Sequence, residues 1–206
     1  MADVTKFTEF YDWIMPDLPG SVHAPALVDR ALKTAVRTFC RETEAWEEWA
    51  RPINLKDGVV SYTMYWDFCA NAKRIHEVRS NTAQGVTDGV DGEEQDSRLF
   101  KLVKPDVIKL DEAIKPADDI TNALDVKLVL VPKLSECAAP VWFVNEWAEA
   151  IIGHATWEMA IMKNVSWADA NMAVKGQRAY FSGVNEAKNE TATDNRFTEE
   201  PFVLGA

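Results

Sequence analysis

The chain has 206 residues, of which 47% are hydrophobic, and its 22 Lys and Arg stand against 33 Asp and Glu, a formal net charge of -11 at pH 7. A chain of this length and composition can build one compact domain, or one domain with an insertion, without disulfide or metal cross-links. The acidic balance disfavours a nucleic-acid reader, because such binding depends on Lys and Arg displacing counterions from phosphates.

The cysteines and the N-terminal segment limit the cellular compartments that the protein is expected to occupy. Cys40, Cys69 and Cys137 lie far apart and form no CxxC pair, which argues against a disulfide framework or a zinc cluster and favours a reducing compartment. The segment MADVTKFTEF lacks the basic and then apolar order of a signal peptide, and no apolar run approaches the roughly 18 residues of a membrane helix. We therefore expect a soluble protein that is not exported by that route and does not bind a membrane.

Helical patterns come first in the chain. The aromatic residues of TKFTEFYDWI predict a short helix, which Pro16, Pro19 and Gly20 would end. Residues 25–49 predict a long amphipathic helix with Pro25 in its first turn. Its apolar stripe comprises Leu27, Ala31, Leu32, Ala35, Phe39, Thr43 and Trp46.

The pattern then changes to that of strands. The Asp-Gly dipeptide at 57–58 predicts a two-residue hairpin turn in INLKDGVVSYTM. That turn would place Leu55 opposite Val60 and Ile53 opposite Tyr62. Further strands are predicted over residues 74–79, 99–104, 107–110 and 123–132.

Residues 84–97, QGVTDGVDGEEQDS, separate two of these strands. Three glycines and five acids make the segment too polar to pack, so we expect a mobile loop tip. Calcium binding is the functional alternative, although the order of the acids does not match that of an EF-hand loop.

Helical signal returns at Ala139. The apolar side of this helix is predicted to comprise Val144, Trp147, Ala148, Ile151, Ile152, Ala155, Met159 and Met162. The polar side is predicted to comprise Asn145, Glu149, Gly153, Thr156 and Lys163. Ser166 is the expected N-cap of a last helix, with Asp169 in the capping-box position, and that helix would run to about Thr191. Its predicted stripe is Ala170, Ala173, Val174, Tyr180, Phe181, Val184 and Ala187.

His154 and Glu158 are the strongest candidates for chemistry. They stand at i and i+4 and face the same way, whereas Glu149 lies about 140° from His154 at 100° per residue. Two ligands are too few for zinc, which takes three from the protein even in catalytic sites. We therefore expect a hydrogen-bonded pair at a helix or subunit contact, where Trp147 and Trp167 also lie. The alternative is a metal site for which another part of the chain supplies the third ligand.

Motifs of known catalytic machinery are missing from the sequence. It contains no GxSxG, HExxH, P-loop or Rossmann fingerprint. The expectation is a protein that is not an enzyme and has no cofactor. The alternative is an acidic cytoplasmic metal-dependent hydrolase that uses His154 and Glu158.

The last 14 residues change character. The predicted tail, 193–206, is charged and then ends in a short apolar run, too little to fold alone. A frayed end is the ordinary interpretation, and docking of its apolar side chains into pockets of a partner is the functional one. The residues concerned are Arg196, Phe197, Pro201, Phe202, Val203 and Leu204.

Taken in order, three groups of segments resemble one family. They are LPG with ALKTAVRTFCRETEAW, then INLKDGVVSYTM, and then VKLVLVPKL, APVWFVNEWAEAIIGHATWEMAIMKNVSWADANMA and AYFSGVNEAK. Across roughly residues 18–190 the chain is similar to the head-to-tail adaptors of short-tailed phages, the tail tubular protein A group and its connector relatives. The sequence departs from the family pattern at His154, where a small residue is typical, and in the acidic glycine segment at 84–97.

The order of predicted elements indicates an α+β fold: a helical bundle domain formed by residues 1–50 and 136–192, interrupted by a small antiparallel β domain at 51–135 and followed by an extended C-terminal tail at 193–206. The resemblance implies a role. The role is a structural virion protein, a ring of twelve that joins the portal protein to the tail nozzle protein. Its tail would clasp the portal. A connector of a long-tailed phage is the alternative within the same class.

The implied location is the neck of the virion, after assembly in the host cytoplasm. Genomic double-stranded DNA would pass through the ring without sequence-specific binding. Because each copy carries a charge of -11, a lumen lined by part of that charge would repel DNA phosphates and let the duplex slide.

Overall fold

A computed structural model describes residues 4–14, 18, 24–80, 99–133, 135 and 138–197, with side chains as far as residue 192. The chain is an α+β protein with antiparallel sheets. It divides into a helical unit, residues 1–45 and 134–206, and a β unit, residues 46–133. The β unit is inserted between two parts of the helical unit. The expected domain boundary at residue 50 lies at 45/46 because residues 47–49 form a strand of the β unit.

The helical unit contains a three-helix core and a small two-stranded sheet. In chain order its elements are β1 Val4–Lys6, a 3-10 helix Phe7–Phe10, α1 Tyr11–Ile14, α2 Pro25–Thr43, β9 Ala138–Pro140, α3 Val141–Ala160 and α4 Ala170–Phe197. Strands β1 and β9 pair antiparallel. Helix α3 packs against both α2 and α4.

Helix α2 begins at Pro25, as predicted, but ends at Thr43 rather than continuing to residue 49. Glu44 takes a left-handed backbone conformation (φ 60°) and donates its N–H to the carbonyl of Cys40. The hydroxyl of Thr43 accepts the N–H of Ala45, so the end of the helix is capped locally. Trp46 therefore does not continue the α2 stripe; it is buried in the β unit against Phe68.

Phe39 lies at the centre of the helical core. Its ring is completely buried and contacts three aromatic rings, those of Phe143, Trp147 and Tyr180, at centroid distances of 6.1, 5.4 and 6.5 Å. These rings come from α3 and α4, so Phe39 joins all three long helices.

Glycines set the spacing between α3 and α4. A Cβ atom placed on Gly176 would lie 2.5 Å from the carbonyl oxygen of Gly153 and 2.9 Å from the amide nitrogen of Trp157. One on Gly183 would lie 2.5 Å from the Cβ of Ala150. Of the residues predicted on the polar side of α3, Gly153 and Thr156 are buried, Gly153 against α4, whereas Asn145 and Glu149 are exposed.

Helix α4 begins at Ala170, and its N-cap is Asp169 rather than Ser166. The carboxylate of Asp169 accepts the backbone N–H groups of Asn171 and Met172 at 2.7 and 3.2 Å. This is the interaction that a capping side chain supplies to the otherwise unpaired donors of the first turn. The helix also extends beyond the predicted end at about Thr191 to Phe197, into the segment expected as tail.

The β unit is organised around one long strand. In chain order it contains β2 Glu47–Trp49, β3 Ile53–Leu55, β4 Ser61–Thr63, β5 Ala70–Ser80, β6 Phe100–Lys104, β7 Val107–Leu110, a 3-10 helix Glu112–Ile114 and β8 Ile120–Pro132. Strand β8 pairs with β2, β3 and β5, all antiparallel, and β7 lies between β4 and β6 in a second antiparallel sheet. The strands predicted at 74–79, 99–104, 107–110 and 123–132 lie within, or within one residue of, these elements.

The predicted hairpin at 53–62 does not form. The Asp-Gly turn at 57–58 is present, with φ +70° at Gly58, but its two flanking strands join different sheets. Ile53 pairs with Leu124 of β8, and Tyr62 pairs with Ile108 of β7. Strands β3 and β4 thus pair with longer, buried strands rather than with each other across the turn. The acidic segment at 84–97 lies outside the described residues.

Candidate functional site

Trp147 is part of the helical core. Its side chain is buried, and its ring lies 5.4 Å from that of Phe39. The predicted contact residue therefore joins α3 to α2 within one chain. Trp167 lies in the connection between α3 and α4 and is half-buried, with an indole Nε1 that has no hydrogen-bond partner among the described residues.

His154 and Glu158 share a face of α3, as their spacing predicts, but they do not form the expected pair through their buried atoms. Nδ1 of His154 and Oε2 of Glu158 are both shielded from solvent, and neither has a hydrogen-bond partner in the part of the chain that the structure describes. Both side chains are half-buried overall.

Aromatic rings surround the imidazole. His154 lies 4.6 Å from the ring of Tyr180 and 5.7 Å from the ring of Trp157, in edge-to-face arrangements. Burial lowers the pKa of His154, although the charge of Glu42 opposes the shift. The pKa of Tyr180 is raised by burial and by the neighbouring Glu42 carboxylate. The histidine is therefore a neutral, packed side chain at pH 7.

Glu158 occupies a similar environment. Burial raises the pKa of its carboxyl above the ordinary value, although the charge of Arg30 opposes the shift. Among the described residues, no group of three or more His, Cys, Asp and Glu side chains converges in a way that could hold a metal ion. The third ligand that the hydrolase alternative requires is thus not found in that part of the chain.

The described cysteines do not suggest a nucleophile. Cys40 is fully buried in α2, and burial raises the pKa of its thiol far above the ordinary value. Because the thiolate is the nucleophilic form, a thiol held neutral in the core is inert. Cys69 is exposed and forms no disulfide among the described residues.

One charged cluster lies in the β unit. Glu47 contacts Nδ1 of His76 at 3.0 Å and Nζ of Lys127 at 2.8 Å. Burial opposes ionisation of Glu47, but the hydrogen bonds and charges of His76 and Lys127 outweigh it and lower the pKa of the carboxyl. Glu47 is thus a paired carboxylate that ties β2 to β5 and β8.

The environment of Glu158 leads to a prediction about pH. A carboxyl whose pKa is raised by folding favours the folded state below its unfolded pKa, and that contribution is lost as pH rises through the folded pKa. We therefore expect Glu158→Gln to raise the thermal midpoint at pH 7 and to have little effect near pH 3.5, where the parent carboxyl is mostly protonated.

Thermal unfolding followed by circular dichroism at the two pH values measures this difference. Glu149→Gln, which neutralises an exposed carboxylate on the same helix, is the control and should change the midpoint little at either pH. A Glu158→Gln variant that is less stable than the parent at pH 7 would show instead that Arg30 holds the charged form.

A groove along α3 is the feature that the sequence analysis missed. Its lining includes Trp13, Glu146 and Glu149. The sequence does contain a signal for it, since the predicted apolar side of α3 is broad and includes Ala148 and Ile152, which are left half-exposed.

The predicted tail contacts are only partly within the described chain. The backbone of Arg196 and Phe197 belongs to the last turn of α4. Pro201, Phe202, Val203 and Leu204 lie outside the described residues. Thr191, one turn earlier, donates hydrogen bonds to the carbonyl oxygens of Ala187 and Thr43. This contact connects the C-terminal part of α4 to the end of α2.

Within the described ranges, none of the helices is both long and apolar enough to cross a membrane. The candidate residues in α3 take part in helix contacts, and the metal-ligand geometry that would suggest catalysis is not found among the described side chains.

Comparison of the chain with models of known protein families finds no match, and a search of curated proteins finds no relative.

Proposed function

We propose that the protein is a ring-forming head-to-tail adaptor of a phage virion, which joins the portal protein to the tail nozzle protein and surrounds the DNA channel. The observation that supports this proposal most is the chain order: α2, then an inserted antiparallel β unit, and then α3 and α4 packed against α2. This is the order of segments on which the resemblance to the adaptors rests. It is a proposal about assembly and involves no catalytic step.

The side chains of the helical core support the same proposal. His154 is packed against the rings of Trp157 and Tyr180, and Glu158 is half-buried with Arg30 as its nearby charge. Among the described side chains of this unit, five large apolar ones are exposed: Trp13, Trp142, Ile161, Val174 and Phe181. Three of them, Trp13, Trp142 and Phe181, are aromatic, the class of residue that is enriched where proteins contact one another.

In this proposal a ring of twelve copies closes through head-to-tail contacts between unlike surfaces of neighbouring chains. The helical unit contacts the portal, and the β unit faces the nozzle. The C-terminal segment, residues 193–206, clasps the portal through its apolar side chains.

Removal of residues 193–206 tests the clasp. The deletion retains Thr191 and its bonds to α2, so the truncated protein should keep its helical circular dichroism and unfold near the temperature of the full chain. We expect it to lose co-sedimentation with the portal protein encoded in the same genome. If the truncated protein co-sediments with the portal protein as tightly as the full chain does, the proposal that the tail clasps the portal is contradicted.

A full-length variant separates the apolar contacts from simple loss of length. In Phe202→Ser, Val203→Ser and Leu204→Ser combined, the tail keeps its length and charge but loses its apolar groups. The matched control, Glu199→Gln with Glu200→Gln, changes neighbouring residues of the same tail. The first variant should fail to join the portal, and the second should join it.

A further inference from the structure

A groove runs along α3 on the side bounded by the N-terminal elements and by the first half of α4. It consists of two adjoining cavities of about 350 and 540 Å³. Trp13 and Glu149 line both cavities, so the two lie side by side along α3. We call it the α3 groove.

The lining that α3 contributes to the groove is mixed: it includes Asn145, Glu146 and Glu149, and beside them runs one apolar row. Val144, Ala148 and Ile152 follow one another at four-residue spacing along α3, and Ala148 and Ile152 are left half-exposed. From Val144 to Thr156 this lining extends for twelve residues, which is about 18 Å at the rise of an α-helix. Because Gly176 lies in the wall on the α4 side, that wall is low where α4 approaches α3 most closely.

The opposite wall carries an exposed aromatic ring. Trp13 is 62% exposed although it lies over the junction of the two cavities. A tryptophan in this position presents a large apolar surface to any segment that enters the groove. Such residues are enriched among those that contribute most to protein–protein binding.

The rim of the α3 groove is acidic. Glu9, Glu146 and Glu149 line it, and Lys175 is the basic residue of the lining. Burial raises the pKa of Glu146, and the charges of Glu190 and Glu186 raise it further. The negative groups at this end of the groove thus repel one another, and a cation between them would relieve the repulsion.

We propose that the α3 groove binds an amphipathic helix of about three turns from another protein, with Lys or Arg on the flanks of its apolar stripe. An apolar stripe of i, i+3, i+4 and i+7 side chains matches the lining from α3 in length, and basic flanking residues match the acidic rim. This assignment goes beyond the adaptor proposal and does not depend on it. A protein with no role in a virion would still contain this groove.

A synthetic leucine–lysine helix of about 14 residues is a direct probe. The labelled peptide, with leucines at helical spacing on one face, should bind the full-length protein saturably in fluorescence anisotropy at about 0.1 M salt. A scrambled peptide of the same composition and charge, which lacks the stripe, should bind at least tenfold more weakly. The comparison separates groove binding from general attraction to an acidic protein.

Two pairs of variants locate the site. Glu149→Lys reverses a rim charge common to both cavities and should weaken binding about tenfold or more, whereas Glu112→Lys makes the same change at an exposed position of the β unit and should not. Trp13→Ala should also weaken binding. Its control is Tyr65→Ala, which removes a comparably exposed ring, 64%, from the β unit. All four positions are exposed, and circular dichroism checks that each variant is folded.

The outcomes separate clearly. Saturable binding that responds to Glu149→Lys and Trp13→Ala but not to the controls supports the proposal. Equal binding of the scrambled peptide, or equal binding by Glu149→Lys, overturns it. Self-association of the full chain that Glu149→Lys abolishes and the peptide does not displace would overturn it as well, because the occupant would then be a second copy. Loss of portal binding by the tail variants without any effect on peptide binding would leave this proposal intact and test only the adaptor role.

Discussion

Replacement of Phe39 with alanine is expected to destabilise the helical unit by about 3 to 5 kcal/mol, the usual cost of removing a fully buried aromatic ring. Phe39 has no exposed surface and contacts Phe143, Trp147 and Tyr180. The substitution leaves a cavity where α2, α3 and α4 meet, and the backbones cannot collapse into it because Gly153 and Gly176 already hold α3 and α4 in close contact.

Urea unfolding followed by far-ultraviolet circular dichroism, which is dominated by the helical unit, measures the loss. Phe181→Ala is the matched control, because Phe181 is 47% exposed on α4, and its removal should cost less than about 1 kcal/mol. Because the chain has two compact units, the helical and β signals need separate fits rather than one two-state curve. A Phe39→Ala loss as small as that of Phe181→Ala would contradict the assigned core.

Gly176→Val is the second substitution with a large expected effect. A Cβ at this position would lie 2.5 Å from a backbone oxygen and 2.9 Å from a backbone nitrogen of α3, so no side-chain rotation can relieve the overlap. We expect a loss of about 3 kcal/mol, the upper part of the range for overpacked cores. The sign of the change in the free energy of unfolding is informative. Glycine is the poorer helix former, so valine would stabilise an isolated helix at the same position.

Ser182→Val controls for the introduction of a β-branched residue into α4. Ser182 is exposed on the same helix, and its replacement should change the free energy of unfolding by less than about 0.5 kcal/mol. Gly183→Ala should resemble Gly176→Val in direction, because its new Cβ would lie 2.5 Å from the Cβ of Ala150. A stabilised Gly176→Val variant would show that α3 and α4 do not pack through their glycines.

Local patterns in the sequence predicted the element types but not all of their ends. Pro25 correctly indicated the start of α2, since its fixed φ suits a first helical turn. The end of α2 was placed six residues too late, because Trp46 continues the helical spacing although its side chain belongs to the β unit. Ser166 and Asp169 are both good N-cap residues, and only the backbone path shows that Asp169 is the cap.

The errors in predicting which strands and helices contact one another have a different cause. The turn at 57–58 was predicted correctly, yet the partner strands were not, because a dipeptide specifies a local reversal and β8 and β7 are distant in sequence. The close approach of Gly153 to Gly176 was not predicted for the same reason: Gly176 lies on another helix. The spacing of His154 and Glu158 placed them on one face of α3, but the contact of His154 with Tyr180 depends on how α4 packs.

The imaging of a mixture of the full-length protein with the portal protein encoded in the same genome tests the adaptor proposal most directly. Two-dimensional class averages from electron microscopy should show a ring of twelve copies on one end of the portal, with a continuous central channel. Portal particles that stay bare in the presence of excess folded protein, or a genome that encodes no portal protein, would contradict it.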